Sequence, residues 1–154
     1  MALFNVRVYG ILIDSQERLL VSDEFIRGAY ITKLPGGGLE IGEGTRDGLA
    51  REFMEEANLH ITVGDHFYTT DFFQISAFNN TDQIISIYYL VHSDKTETIN
   101  AKVKAFDFLP EQVADVKGTA EHLRWVPLSE LTEDTMTLPI DKVAIKLLLS
   151  KSKF

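Results

Sequence analysis

The hydrophobic and polar positions at the start of the chain alternate in part. Residues 4–14 (FNVRVYGILID) are rich in β-branched and aromatic side chains, which predicts a strand. The polar run Asp14-Ser15-Gln16-Glu17 predicts a turn, Arg18 to Asp23 the returning strand of a hairpin, and Glu24 to Ile31 a loop. Leu34-Pro35-Gly36-Gly37-Gly38 follows, where glycines permit unusual backbone dihedrals and close approach to a ligand. Thr45 to Asn58 predicts a helix, with Thr45 as N-cap and Asp47 at the positive end of its dipole. Leu49, Phe53 and Ala57 fall four apart and form the expected buried stripe. Gly48 inside that helix costs up to ~1 kcal/mol against alanine, so a close neighbour is expected there.

Further along, Ile61 to Ser76 holds strand-like material, and Gln83 to His92 (QIISIYYLVH) predicts a strand, with Asn79 to Asp82 as a hairpin loop between them. Residues 93–122 carry a weaker pattern, with a short strand near Val103 to Phe106. Leu123 to Val126 predicts a short strand, and Pro127 to Leu131 a turn or short helix with proline at its first position. Ile140 to Ser150 predicts an amphipathic helix with an apolar face of Val143, Ile145, Leu147, Leu148 and Leu149. No internal repeat or linker interrupts the 154 residues, which predicts a single domain, 1–154, of α/β (α+β) class.

Composition adds a compartment and a constraint. With 45% hydrophobic and 25% charged residues the chain reads as a soluble globular domain, and the cysteine count of zero removes disulfides and thiolate metal sites. No apolar run approaches the ~20 residues that span a bilayer, and Arg7 interrupts the N-terminal apolar stretch, so a cytoplasmic protein is expected. The net charge of -8 argues against nucleic-acid and membrane-surface partners. The same charge repels a phosphorylated substrate unless bound cations reverse the local sign.

The chemistry concentrates in GGLEIGEGTRDGLAREFMEEANL, Gly37 to Leu59. On a helix Glu52, Glu55 and Glu56 stand at i, i+3 and i+4, so their carboxylates share a face and need a counter-charge. A hard divalent cation such as Mg²⁺ suits that role, although an acidic helix face alone is more often simply solvated. A glycine-rich loop leads into this helix, and Arg51 can pair with Glu43 to tie loop to helix.

This segment resembles the Nudix box, in which Gly, Glu and an Arg-Glu-apolar-any-Glu-Glu-any-Gly-apolar run recur at fixed spacing. The matching residues are Gly37, Glu43, Arg51, Glu52, Phe53, Glu55, Glu56 and Leu59. Asn58 replaces the family's helix-ending glycine, and asparagine is the next-best residue for a left-handed C-terminal position. The resemblance extends to Leu34 to Gly37 and to Trp125 to Leu131, whereas Thr32 occupies a place where the family often has tryptophan. It implies a Nudix fold, a mixed β-sheet sandwiched between helices.

What the resemblance implies chemically is metal-dependent hydrolysis of a pyrophosphate bond in a nucleoside diphosphate linked to another moiety. Glu52, Glu55 and Glu56, with the Gly36 carbonyl, correspond to ligands of Mg²⁺ or Mn²⁺, and Arg51 and Glu43 to an orienting pair. The general base varies across the family: Glu52, Glu55 or Glu121 are candidates, the last placed in a loop before the Trp125 strand with His122 beside it. Arg7, Arg27 and Lys33 could reach phosphates or a base, with Gly37 at the loop, and Tyr68, Phe72 and Phe73 could stack on a base or belong to the core. A small-molecule nucleoside diphosphate derivative is thus the expected partner, and a homodimer the assembly. The competing reading is a Nudix-like sensor that binds a nucleotide without cleaving it; such modules erode the box, and every acid is kept here.

Overall fold

The computed structural model describes residues 1–151, which form two compact units with interleaved chain: 1–12 with 35–99, and 13–34 with the chain from Asn100 onward. The first unit holds strands β1 (Phe4–Leu12), β4 (Gly36–Gly38), β5 (Thr62–Thr69) and β6 (Gln83–His92) and helix α1 (Thr45–Ala57). Its sheet has the order β4-β1-β6-β5, with β1 antiparallel to β4 and parallel to β6. The second unit holds β2 (Arg18–Ile26), β3 (Ala29–Lys33), β7 (Ala101–Lys102), β8 (Thr119–Pro127) and helix α2 (Pro139–Ser150), with the sheet order β3-β2-β8-β7. Both sheets are mixed, since β7 runs parallel to β8.

The strand pattern puts side chains alternately on the two faces of each sheet. In the first unit Val8, Gly10 and Tyr89 turn toward α1. A Cβ on Gly10 would stand 2.5 Å from the Phe53 ring, and the Tyr89 hydroxyl lies 2.7 Å from that of Thr45. The opposite face carries Arg7, Tyr9, Ser86 and Tyr88, with the Tyr9 and Tyr88 rings stacked 5.5 Å apart. In the second unit Leu19, Leu20 and Val21 of β2 and Ala144, Ile145 and Leu148 of α2 are buried.

Several elements differ from the sequence expectation. Arg18 to Asp23 does not return along β1; apart from the bridge Ile13–Leu19, β2 pairs with β3 and β8. The Asp14 turn is real, its carboxylate accepting the backbone N–H of Gln16 and Arg18, but it passes the chain from one sheet to another. Glu24 to Ile31 is not loop. β2 runs to Ile26 and β3 starts at Ala29, joined by Arg27 (φ 51°) and Gly28 (φ 81°), the left-handed pair that a two-residue hairpin turn requires. Val103 to Phe106 is not a strand: β7 ends at Lys102, and Phe106 sits at φ 52° with its N–H on the Asp23 carboxylate at 3.2 Å. In α2, Val143 faces solvent; Ile140 and Ala144 take its place in the buried stripe.

Candidate active site

Helix α1 is built to present acids beside a glycine strand. Gly44, not Thr45, is its N-cap; Thr45 is already helical and its hydroxyl meets Tyr89 instead. At the other end Asn58 adopts the left-handed conformation (φ 49°, ψ 43°), with its N–H returning to Met54 and that of Leu59 to Phe53. The departure from glycine therefore keeps the helix stop. Leu49 and Phe53 are fully buried and anchor one side of the helix, while Glu52 and Glu56 meet the glycine strand and Glu55 is exposed.

Three glycines in and beside the box, Gly36, Gly37 and Gly48, have close neighbours that explain them. A Cβ on Gly48 would lie 2.7 Å from Leu39 and 2.9 Å from a Glu43 carboxylate oxygen, the close packing expected from its position. A Cβ on Gly37 would stand 2.6–2.8 Å from three atoms of the Glu52 carboxyl group, so that group occupies the space a side chain would fill. Gly36, at φ 146°, donates its N–H to a Glu56 oxygen at 2.9 Å, and a Cβ there would strike the Val8 carbonyl.

Arg51 is the counter-charge within the acids. Its Nε and Nη2 donate to the two Glu43 oxygens at 3.0 and 2.7 Å, and Nη2 also donates to the Gly38 carbonyl at 3.1 Å. Nη1 lies 3.2 Å from Glu52 and 3.2 Å from Glu55. The bidentate fork to Glu43, reinforced by the Glu40 N–H, holds the Glu43 carboxyl near about 2, well below its ordinary 4.5. The same contacts raise the Arg51 guanidinium above its ordinary value, the Glu43 bond first among them. The pair predicted between loop and helix is thus formed.

The donor chemistry suits a hard cation: the three helix acids offer carboxylate oxygens, with the Glu52 group seated in the Gly37 cradle. Among the described residues no three acidic or histidine side chains already close on one point. Arg51 draws Glu52 and Glu55 toward itself, and Glu56 turns to the Gly36 N–H.

The other predicted residues separate by unit. Arg7 and Gly37 share the first unit with the box. Arg27 is at the exposed tip of the β2–β3 hairpin, and Lys33 ends β3 with its ammonium 3.0 Å from Glu24. Glu121 and His122 are not in a loop; both lie within β8. Glu121 is exposed and stands opposite Glu24 in the β2–β8 register, while His122 is opposite Asp23. Of the aromatics, Tyr68 packs 6.1 Å from Tyr88 with its hydroxyl on Asp71, and Phe72 and Phe73 lie outside the strands with 38% and 70% exposure. Partial burial and Asp71 raise the Tyr68 hydroxyl above its ordinary value.

Sequence reasoning passed over Asp23 and Glu24. Asp23 is fully buried and accepts from Arg124 at 2.7 and 3.0 Å and from the Thr32 hydroxyl at 2.7 Å. The signal was an acid doublet inside an otherwise apolar stretch (LLVSDEF), since acids are rarely buried unless paired.

The NUDIX domain model matches residues 3–148. The chain belongs to the Nudix family and is a Nudix pyrophosphohydrolase. Solved structures agree on the fold. The E. coli ORF135 protein superposes with a TM-score of 0.67 at 16% identity, covering 97% of this chain and 91% of that one. A MutT protein from Methanosarcina mazei Go1 gives 0.66 at 19%, covering 98% and 96%, and a Nudix hydrolase from Nitrosomonas europaea 0.63 at 19%, covering 97% and 91%. No curated protein matches the chain. Nudix hydrolases generally use divalent metals and act on small nucleoside diphosphate derivatives. No helix among the described residues is long and apolar enough to cross a membrane.

Proposed function

We propose that this enzyme hydrolyses a pyrophosphate bond in a nucleoside diphosphate linked to another moiety, with Mg²⁺ or Mn²⁺ held by Glu52, Glu55, Glu56 and the Gly36 carbonyl. The observation that carries the reading is the retained set of box acids around Arg51, with the Glu52 carboxyl group filling the space above Gly37. A divalent ion there supplies positive charge and a water of lowered pKa. Arg51 and Glu43 lock the glycine strand to α1, so the acids keep a fixed spacing. Glu52, Glu55 or Glu121 accepts the proton of the attacking water. Arg7, Arg27, Lys33 and Gly37 contribute the substrate contacts. The setting we propose is cytoplasmic, with residues 1–154 forming one Nudix domain, assembled as a homodimer, and with no nucleic-acid or membrane partner.

A panel of nucleoside triphosphates, nucleotide sugars and dinucleoside polyphosphates with Mg²⁺ or Mn²⁺, assayed for phosphate or monophosphate release, tests the activity. Glu56→Gln should lower the rate at least ~100-fold, as expected for a lost metal contact. Unchanged activity would overturn the ligand assignment. Tight binding of one compound with no turnover of any would instead make the protein a sensor. Slowing by Glu121→Gln, compared with His122→Ala, identifies the base, and no effect of either assigns it to the helix. A solution mass measurement reads the oligomer.

A further inference from the structure

Strand β4 is an edge strand made only of Gly36, Gly37 and Gly38. Successive side-chain positions on a strand point to opposite faces. The missing side chain of Gly37 would meet Glu52, whereas that of Gly38 would point the other way, where the one neighbouring atom within 4 Å is Nη1 of Arg7 at 3.8 Å. An acid and a cation thus flank the same bare strip of backbone, one on each face.

Arg7 is held firmly for a long side chain. Its Nε donates to the Tyr9 hydroxyl at 2.5 Å, and its guanidinium carbon sits 5.7 Å from the centre of the Tyr9 ring. Tyr9 is buried and stacks on the fully buried Tyr88, on which Tyr68 also rests. An arginine whose stem and Nε are already ordered loses little further freedom when it grips an oxyanion. Carboxylates dominate the α1 side of the strip, so an extended anion gains from a cation placed beyond them.

Resting on the hydrolase reading above, we propose that Arg7 binds a substrate phosphate oxygen on the face of β4 opposite the box acids, with the phosphate chain crossing the sheet edge over Gly38 and Tyr9 acting as the positioning residue. Gly38 is bare because a ligand passes there: its position has room for a methyl group in the folded protein, and its φ is not in the left-handed region.

The test uses Arg7→Gln, Tyr9→Phe and Gly38→Ala with the best-turned-over compound, alongside calorimetric binding of inorganic tripolyphosphate with Mg²⁺. Arg7→Gln should raise KM at least ~10-fold with a much smaller change in kcat, the size of a lost charge-assisted hydrogen bond. Gly38→Ala should raise KM without lowering the melting temperature, and Tyr9→Phe should raise KM by less than Arg7→Gln. Tripolyphosphate binding should weaken in parallel in Arg7→Gln. Unchanged KM and tripolyphosphate affinity in both Arg7→Gln and Gly38→Ala would overturn the proposal. So would a fall in kcat together with melting temperature, which marks Arg7 as structural. Were the wild type to turn over nothing, the hydrolase reading would fall while the tripolyphosphate measurement still decided the role of Arg7.

Discussion

Replacing Gly10 with alanine should destabilise the protein, although alanine is ordinarily the better strand residue. A Cβ there would lie 2.5 and 2.8 Å from two atoms of the Phe53 ring and 3.2 Å from Val91. Phe53 is fully buried and Val91 nearly so, so neither can swing into solvent. Relief must come from a shift of α1 away from β1. Forcing a methyl group into a packed core costs about 1–3 kcal/mol, against a gain of roughly 0.5–1 kcal/mol from removing a strand glycine. Contacts this short to a fully buried ring put the cost in the upper half of that range, so a net loss of about 1–2.5 kcal/mol follows, or roughly 2–10 °C in melting temperature for a chain of this size. Urea unfolding of Gly10→Ala, Phe53→Leu and the double variant measures it. The smaller side chain makes room for the methyl group, so the double variant should be more stable than the sum of the singles predicts by about 1 kcal/mol. Because α1 carries the box acids, Gly10→Ala should also lose activity that the double variant partly regains. A Gly10→Ala protein as stable as wild type, or strict additivity, would refute the account of how the helix is seated.

Other outcomes follow from the same geometry. Glu43 has its carboxyl lowered from 4.5 to about 2, so its contribution to stability is complete above its unfolded value and fades as pH falls toward about 2. Acid titration of stability should show that loss in wild type and a shallower one in Glu43→Gln; identical profiles would count against the Arg51 fork. Asp23→Ala leaves Arg124 without its partner and should cost about 3–5 kcal/mol in a denaturant titration, as for other broken buried pairs. Asn58→Gly should match or exceed wild-type stability, whereas Asn58→Ala, forced to keep φ 49°, should lose about 1–2 kcal/mol; equal stabilities would mean the helix ends differently in solution.

Features governed by local spacing were the most legible in the sequence. The box helix, its left-handed stop at Asn58, the need for a close neighbour at Gly48 and the Arg51–Glu43 pair depend on residues within one or two turns or on a fixed loop length. What escaped depends on partners far along the chain. Asp23 and Glu24 made β2 look as if it ended early, because their partners Arg124 and Lys33 are brought by other strands. Glu121 looked like loop since β8 begins with polar residues, and only pairing with β2 defines it as strand. Arg7 offered no spacing signal of its own; its bearing on the box comes from the Arg7–Gly38 register between β1 and β4.

The parallel pairing of β1 with β6 has a consequence for synthesis. Phe4 aligns with Gln83, and the register continues to Leu12 with Val91. At roughly 5–20 residues per second, translation needs on the order of 4–16 s between making the two strands. During that interval the nascent chain holds β1 with only the short glycine strand available beside it, one long edge open to other chains. Conditions that slow elongation through residues 13–82 should therefore lower the soluble yield more than an equal slowing after β6 is complete.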